Sequence, residues 1–372
     1  MSLSQSLDAG PAGPLFLTSY PRVTSGPLQG AAFLYDNAVA AIALVACGEP
    51  AKAARIGEAI LLALDHDRYW HDGRLRNGYL AGAVGSEPLK LAGWWDDKQN
   101  MWVEDRYQVG SDNGNMAWAI LALLALDKGA GDHRYRDGAV RIAGWILESR
   151  SPASPGGFTG GTFSHEPAPV SETWKSTEHN TDLAAAFRGL ALVTGDRKWM
   201  APARAAEKFV RAMWSKDCGC FAVGTGEDGK TRNPYLALDA QIWPLLALPG
   251  AAARYGVAFA AAQARLRDGG GFAYSEAKEG MWTEGTAQAA LYLTLSGRKA
   301  EAGAFLAAIA EMRAADGSYY AASTHELPTG FMLETDPTQP RQYFHIPHLA
   351  AMSWAAIADQ RYNPFTRAKT LP

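Results

Sequence analysis

A chain of 372 residues, 48% hydrophobic and 20% charged, can bury roughly three quarters of its unfolded surface in one large core. Its net charge of −3 leaves no basic stripe, which excludes nucleic acid as a partner, and no run of about 18 uncharged apolar residues exists to span a membrane. Three cysteines, two of them in Cys218-Gly219-Cys220, are too few for a disulfide framework.

Residues 1–30 are rich in Gly, Pro and Ser and read as an irregular lead-in. Met1 to Pro14 lacks the basic and apolar regions of a signal peptide. A cytoplasmic location is expected, or a periplasmic or secreted one if a leader has been removed. Tyr35-Asp36-Asn37 opens an Ala-, Leu- and Val-rich helix to Cys47. Its neighbour, Pro50 to Leu64, carries Lys52, Arg55 and Glu58 and is amphipathic. The connection from Asp65 to Gly110 holds Tyr69, Trp70, His71, Trp94, Trp95 and Trp102, too many aromatics for disorder. Loops this long usually serve function, and small strands over one end are expected here.

Ser111-Asp112-Asn113 opens a second apolar helix, to about Leu126, followed by a charged one from His133 to Glu148. After a Gly/Pro/Ser loop comes the densest polar stretch, Trp174 to Asp182, leading into a small-residue helix to Gly195. Ser176 or Thr177 suits its N-cap. Glu178 and Asp182 are four apart and share a face, which Ala185, Ala186 and Gly189 continue. Arg197 to Trp214 is again charged and amphipathic. Lys216 to Thr231 reads as a hairpin, and its Gly224-to-Gly229 run is a turn, since no buried strand leads into it. Asn233-Pro234 is expected to start a helix holding Asp239 and Gln241, with Gly250 to Arg267 as its mate. Gly269-Gly270-Gly271 begins another hairpin, then Trp282 to Gln288, with Glu284, opens a helix whose mate is Arg298 to Arg313. A long loop from Asp316 to Tyr343 precedes a last helix opened by His345-Ile346-Pro347-His348.

Six apolar helices thus begin with an acid or histidine and carry almost no charge after it. Their markers Asp36, Asp112, Glu178, Asp239, Glu284 and His345 are 76, 66, 61, 45 and 61 residues apart, a repeat of helical hairpins with variable loops. Alternating apolar and amphipathic helices stack as two concentric rings with the inner N-termini at one end. Five outer helices are visible; the sixth is missing or supplied by a terminal segment. The expected fold is all-α, an (α/α)6 barrel of one domain over 1–372, with small β-hairpins over one mouth.

This pattern resembles the six-hairpin (α/α)6-barrel superfamily of carbohydrate-active enzymes over about residues 30–360. The resemblance implies a reaction on sugar: a glycoside hydrolase, inverting, cleaving an oligo- or polysaccharide with paired carboxyls. Sugar epimerases of the N-acylglucosamine 2-epimerase type share the ring and work with histidines, for which His179, His345 and His348 are candidates. A non-catalytic glycan-binding toroid is a third reading. Glu178, under a helix N-terminus that favours the anion, is the candidate base. Asp239, read as a turn deeper in its helix, is the candidate acid, and Asp112 could take either part. Substrate-binding candidates at the mouth are Tyr35, Asp36, Asn37, Asn113, Trp174, Lys175, His179, Asn180 and Asp182. To these add Gln241, Trp282, Glu284, Gln288, His345 and His348, with Trp94 and Trp95 from the long connection. Any one acid can instead cap a helix, and Lys175 can instead form an exposed pair with Glu178. Trp118, Trp145, Trp199, Trp214 and Trp354 lie within helices and read as core. Pro347 spoils His345 and His348 as a ligand pair, so no metal and no other cofactor is expected. Carbohydrate is the only partner expected; the oligomeric state is not legible.

Overall fold

Small residues and scarce charge let a helix be buried on every side, and the apolar segments use that freedom. The computed structural model describes residues 3–127, 132–151 and 153–369. Its helices are α1 (Leu3–Ala9), α2 (Leu34–Ala46), α3 (Pro50–Asp65), α4 (Arg106–Val109), α5 (Asn113–Leu126), α6 (Arg134–Ile146) and α7 (Thr177–Thr194). They continue as α8 (Met200–Ala212), α9 (Leu238–Ala247), α10 (Ala251–Tyr255), α11 (Val257–Leu266), α12 (Thr283–Leu295), α13 (Lys299–Ala310) and α14 (Leu349–Asp359). The buried helices form a closed ring in which α2 packs on α5, then α7, α9, α12 and α14, and α14 returns to α2. Outside them, α3, α6, α8, α10 with α11, and α13 each lie on the inner helix that precedes them. None of the described helices is long and apolar enough to cross a membrane.

The N-terminal segment is not irregular throughout, as its composition suggests. α1 buries Leu3 and Leu7 and packs against both α14 and α2, filling the outer position left open by the sequence pattern. The fourth inner helix also starts later than Pro234. Arg232–Asn233 is a strand, and α9 begins at Leu238, which puts Asp239 in the first turn.

Short antiparallel hairpins join the outer helices to the next inner ones, as expected for the long connections. Between α3 and α5, Trp94–Asp96 forms such a hairpin with Met101–Val103, while Gly78–Leu80 pairs back with Ala31–Phe33 ahead of α2. The run Gly224 to Gly229 begins as a short buried strand, Gly224–Thr225, that pairs with Arg232–Asn233, and only the rest of it is a turn. Cys218 and Cys220 form a single disulfide within the preceding hairpin. The longest hairpin, Glu326–Met332 with Pro340–Phe344, comes from the loop before α14.

Amides near the inner-helix starts tie this end together. The Asn180 amide donates to the Phe158 carbonyl at 3.0 Å and accepts from the Phe158 N–H at 2.8 Å. Gln241 does the same to Phe221 and Asn37 to Leu17. Each clamp satisfies backbone groups in a buried segment that has no ladder partner for them. Asn180→Ala, which strands two such groups, should therefore lower unfolding free energy by about 2–4 kcal/mol. Urea unfolding reads this directly; a loss below about 1 kcal/mol would mean that other groups satisfy Phe158.

Candidate active site

The ring axis is floored by aromatic rings. Trp118 and Trp243 lie 5.3 Å apart edge to face, Trp118 and Trp354 5.6 Å apart, and Phe365 fills in against Trp118 at 5.2 Å. Tyr35 stands edge-on to Trp118 at 5.4 Å and accepts a 2.8 Å hydrogen bond from the Trp354 indole. On this floor sits a layer of carboxyls from the starts of successive inner helices: Asp36, Asp112, Glu178, Asp182, Asp239 and Glu284. An open depression of the surface lies elsewhere, between the Arg150–Gly157 loop and α8, and no carboxylate lines it.

A roof closes the layer from above. Tyr343 packs 5.8 Å from Tyr274 and 5.3 Å from Trp282, and Tyr20 stacks on His348 at 4.6 Å. Arg341, on the same strand as Tyr343, brings its positive charge to bear on Glu178, His179, Asp239 and Asp112. Its side chain remains open to solvent.

The carboxyls are individually tethered and electrostatically crowded. Tyr35 donates a short hydrogen bond to Glu284. Asn77 donates to Asp112 at 2.7 Å and is itself hydrogen-bonded by Asn115. Asp36 pairs with His348 Nε2 at 3.1 Å. Burial raises Glu178 to about 7, with Arg341 pulling the other way. Burial, reinforced by Glu178 and Glu284, lifts Asp239 well above the usual carboxyl range. Asp182 rises for the same reason, with Glu178 and Asp239 as its neighbours. Burial carries Glu284 to about 8 against the charge of His348, and Asp112 to about 8 with Glu334 adding repulsion. Part of Glu178 still reaches solvent, and the opposing charge of Arg341 holds its rise down. Burial and Arg341 hold His179 down near 4, so it is neutral at pH 7.

Many buried polar atoms here have no partner. They include both Asp182 oxygens, Asp239 Oδ1, Glu284 Oε2 and Gln288 Oε1 as acceptors, and the indole N–H groups of Trp118, Trp243 and Trp282 as donors. Native cores rarely leave such groups unsatisfied.

The structure brings together Tyr35, Asp36, Asp112, Trp174, Glu178, His179, Asp182, Asp239, Trp282, Glu284, Gln288 and His348. Trp174 tilts against His179 at 5.4 Å, whereas Trp282 is 1% exposed and packs within the roof. Other candidates are spent elsewhere. Asn37, Asn180 and Gln241 are the clamps, and Asn113 donates to Ser149 and the Thr159 carbonyl. Lys175 is neither exposed nor paired with Glu178. Its ammonium is buried on Ser151 and the carbonyls of Ala153 and Gly156. His345 is solvent-exposed, stacks on Tyr320 and bonds the Ala322 carbonyl. Trp94 and Trp95 stand on their own hairpin, Trp95 54% exposed opposite Trp102. Asp239 does not owe its raised pKa to depth in its helix, since it lies in the first turn; burial and like charges do that work. The roof residues Tyr20, Tyr274, Arg341 and Tyr343 were not anticipated; the length of the loop before α14 hinted at Arg341 and Tyr343 alone. Among the described residues no group of His, Cys, Asp and Glu is arranged to hold a metal ion.

No family model matches the sequence, and no curated protein matches it. Solved structures do. The chain is similar to a glycosidase variant in complex with glucose at 17% identity, over 96% of this chain and 94% of that one, with a TM-score of 0.64. It is similar to a sugar epimerase from a ruminal bacterium at 11% identity, over 96% and 95%, with a TM-score of 0.63. A possible member of the GH105 family from Klebsiella pneumoniae matches at 13% identity over 68% and 71%, with a TM-score of 0.51. The chain therefore shares the (α/α) ring fold of these proteins. Because a glycosidase and an epimerase share it, chemistry has to be argued from the mouth itself.

Proposed function

We propose that this chain is a glycoside hydrolase on a six-hairpin (α/α)6 barrel, cleaving an oligo- or polysaccharide with inversion. The observation that carries the reading is the set of unpartnered buried donors and acceptors around one ring axis, between aromatic floor and roof. A polyhydroxylated ligand offers both donors and acceptors to such a set, and aromatic faces suit the apolar faces of sugar rings.

Burial and the carboxyls of Glu178 and Glu284 favour the protonated form of Asp239, which fits it to protonate the leaving glycosidic oxygen. Glu178, nearer solvent, takes a proton from a water that attacks the anomeric carbon from the opposite face. Glu178 ends protonated and Asp239 ionised, and exchange with solvent resets both. Glu284, held by Tyr35, lies beside Asp239, and ionisation of Glu284 as pH rises through about 8 would further favour the protonated form of Asp239.

Incubation with a glycan panel tests this. New reducing ends are expected, and the first sugar released should carry the anomeric configuration opposite to the substrate bond, as read by proton NMR during the first minutes. Retention of configuration would remove the water-activating role given to Glu178. One observation favours a second reading: His179 and His348 lie on opposite sides of the ring, and each leaves Nδ1 buried without a partner. An epimerase would need such a facing pair. In heavy water it would place deuterium beside the carbonyl of a free aldose, with no new reducing ends.

A further inference from the structure

The deepest carboxyl of the layer is Asp182, 0% exposed, with neither oxygen hydrogen-bonded. It faces Glu178, Asp239 and the Trp118 indole, so its surroundings supply two like charges and no cation. Around Asp239, Glu178 and Glu284 repel, Gln288 is a donor and only Arg341 attracts. Around Glu284, Asp36 and Glu178 repel, Tyr35 donates, and His348 attracts while bound to Asp36. Arg341 reaches the layer from the hairpin above it and does not bear on Asp182. The inner side of the mouth is thus a layer of crowded acids that would be strongly negative if ionised, with Asp182 Oδ1 and Oδ2, Asp239 Oδ1 and Glu284 Oε2 buried and unpartnered. The described residues include no ligand set for a metal ion that would balance it.

We infer that the mouth selects a sugar bearing a protonated amine, with its ammonium set against Asp182 and Asp239. The inference rests on the sugar-site reading above and narrows it to a class of substrate. An ammonium brings three donors to carboxyls whose nearest donors are the neutral Trp118 indole and Gln288 amide, and charge-assisted bonds are about twice as strong as neutral ones. The arriving cation favours an ionised carboxyl, so Asp182 gives up its proton as the amine binds while Asp239 keeps the one it passes to the leaving group, and the charge of the layer stays balanced. A hydroxyl in the amine's place leaves the acids holding their own protons, and an acetylated amine offers one neutral donor. A sugar carboxylate would meet the acids with like charge.

The test is calorimetric titration of the full-length protein with D-glucosamine against D-glucose, and D-galactosamine against D-galactose, with N-acetyl-D-glucosamine as a control. In at least one pair the amino sugar should bind about tenfold tighter or more. Repeating the titration in two buffers of different ionisation heat should show about one proton released for the amino sugar and none for the others. Asp182→Asn and Asp239→Asn should each pull the amine-to-hydroxyl ratio toward one, with melting curves confirming that the variants fold. Equal or weaker amine binding in both pairs overturns the inference, as does a preference that survives both substitutions. If neutral sugars still bind in those cases, only the amine assignment falls. If no sugar of either kind binds, the site reading falls and takes this inference with it.

Discussion

Glu178→Gln is expected to lower turnover at least about 100-fold, the scale lost when general acid–base help is removed. The substitution keeps the shape of the side chain and its hydrogen-bonding reach. It removes only the titrating group that sits partly open to solvent at the start of α7. Ser176 caps that helix by accepting from the His179 N–H, so the helix does not depend on the Glu178 charge and the melting temperature should hold. In the wild type, catalytic efficiency should rise with pH through about 7, where Glu178 loses its proton. It should fall again at higher pH as the acid ionises, and Glu178→Gln should lose the rising limb. Asp239→Asn should cost a similar factor, and the double variant far less than the product of the two, since both groups serve one step. Turnover within a few-fold of wild type would send the search for the pair to Asp112, Glu284 and Asp36.

How much of this was legible follows from what each signal depends on. The ring could be read because an inner helix must be apolar on all faces and an outer one on a single face, a distinction visible in five hairpins. α1 could not, because seven residues with two buried leucines show no period that separates a helix from a loop. The acids at the mouth were legible as a class, since carboxyls opening uncharged helices have few other uses. The amides were not. Asn37, Asn180 and Gln241 sit at the same helix starts as the acids, and an amide there can meet a ligand or a neighbouring backbone equally well. Only the position of Leu17, Phe158 and Phe221 decides it, and that is set by long-range packing. The roof was the least visible part. Arg341 and Tyr343 reach the carboxyls because Glu326–Met332 pairs with Pro340–Phe344, and nothing in their own sequence points at a site far away in the chain. Lys175 misled for a similar reason: three residues from Glu178 in sequence, it turns to the 151–156 loop instead.

The second large effect concerns stability, and its sign follows from the same carboxyls. A carboxyl whose pKa is raised on folding binds its proton more tightly in the native state than in the unfolded chain. Its contribution is fully present below the unfolded value, about 4, and is lost as pH rises through the folded one. Asp112 and Glu284 at about 8, Glu178 at about 7, and Glu172, which burial followed by Asp112 and Glu334 carries to about 11, all act in this direction. So do Asp182 and Asp239. His348 joins them, because Asp36 outweighs burial and raises it. His179, depressed to about 4, acts oppositely but only between about pH 4 and 6.5. The arginine-bound pair Asp67 and Glu166, lowered against burial by Arg76 and, for Glu166, also by Arg68, loses its contribution only in stronger acid. The protein should therefore be most stable near pH 5 and weaken steadily toward pH 8.5. A fall in melting temperature of at least about 5 °C over that interval is expected, unlike a protein whose acids are solvated or paired. Asp182→Asn combined with Asp239→Asn should flatten the slope, since an amide needs no proton to stay neutral. A melting temperature that is level or rises between pH 5 and 8.5 would show that water ionises the layer without penalty. In that case Asp239 would hold no proton at neutral pH to give to a leaving group.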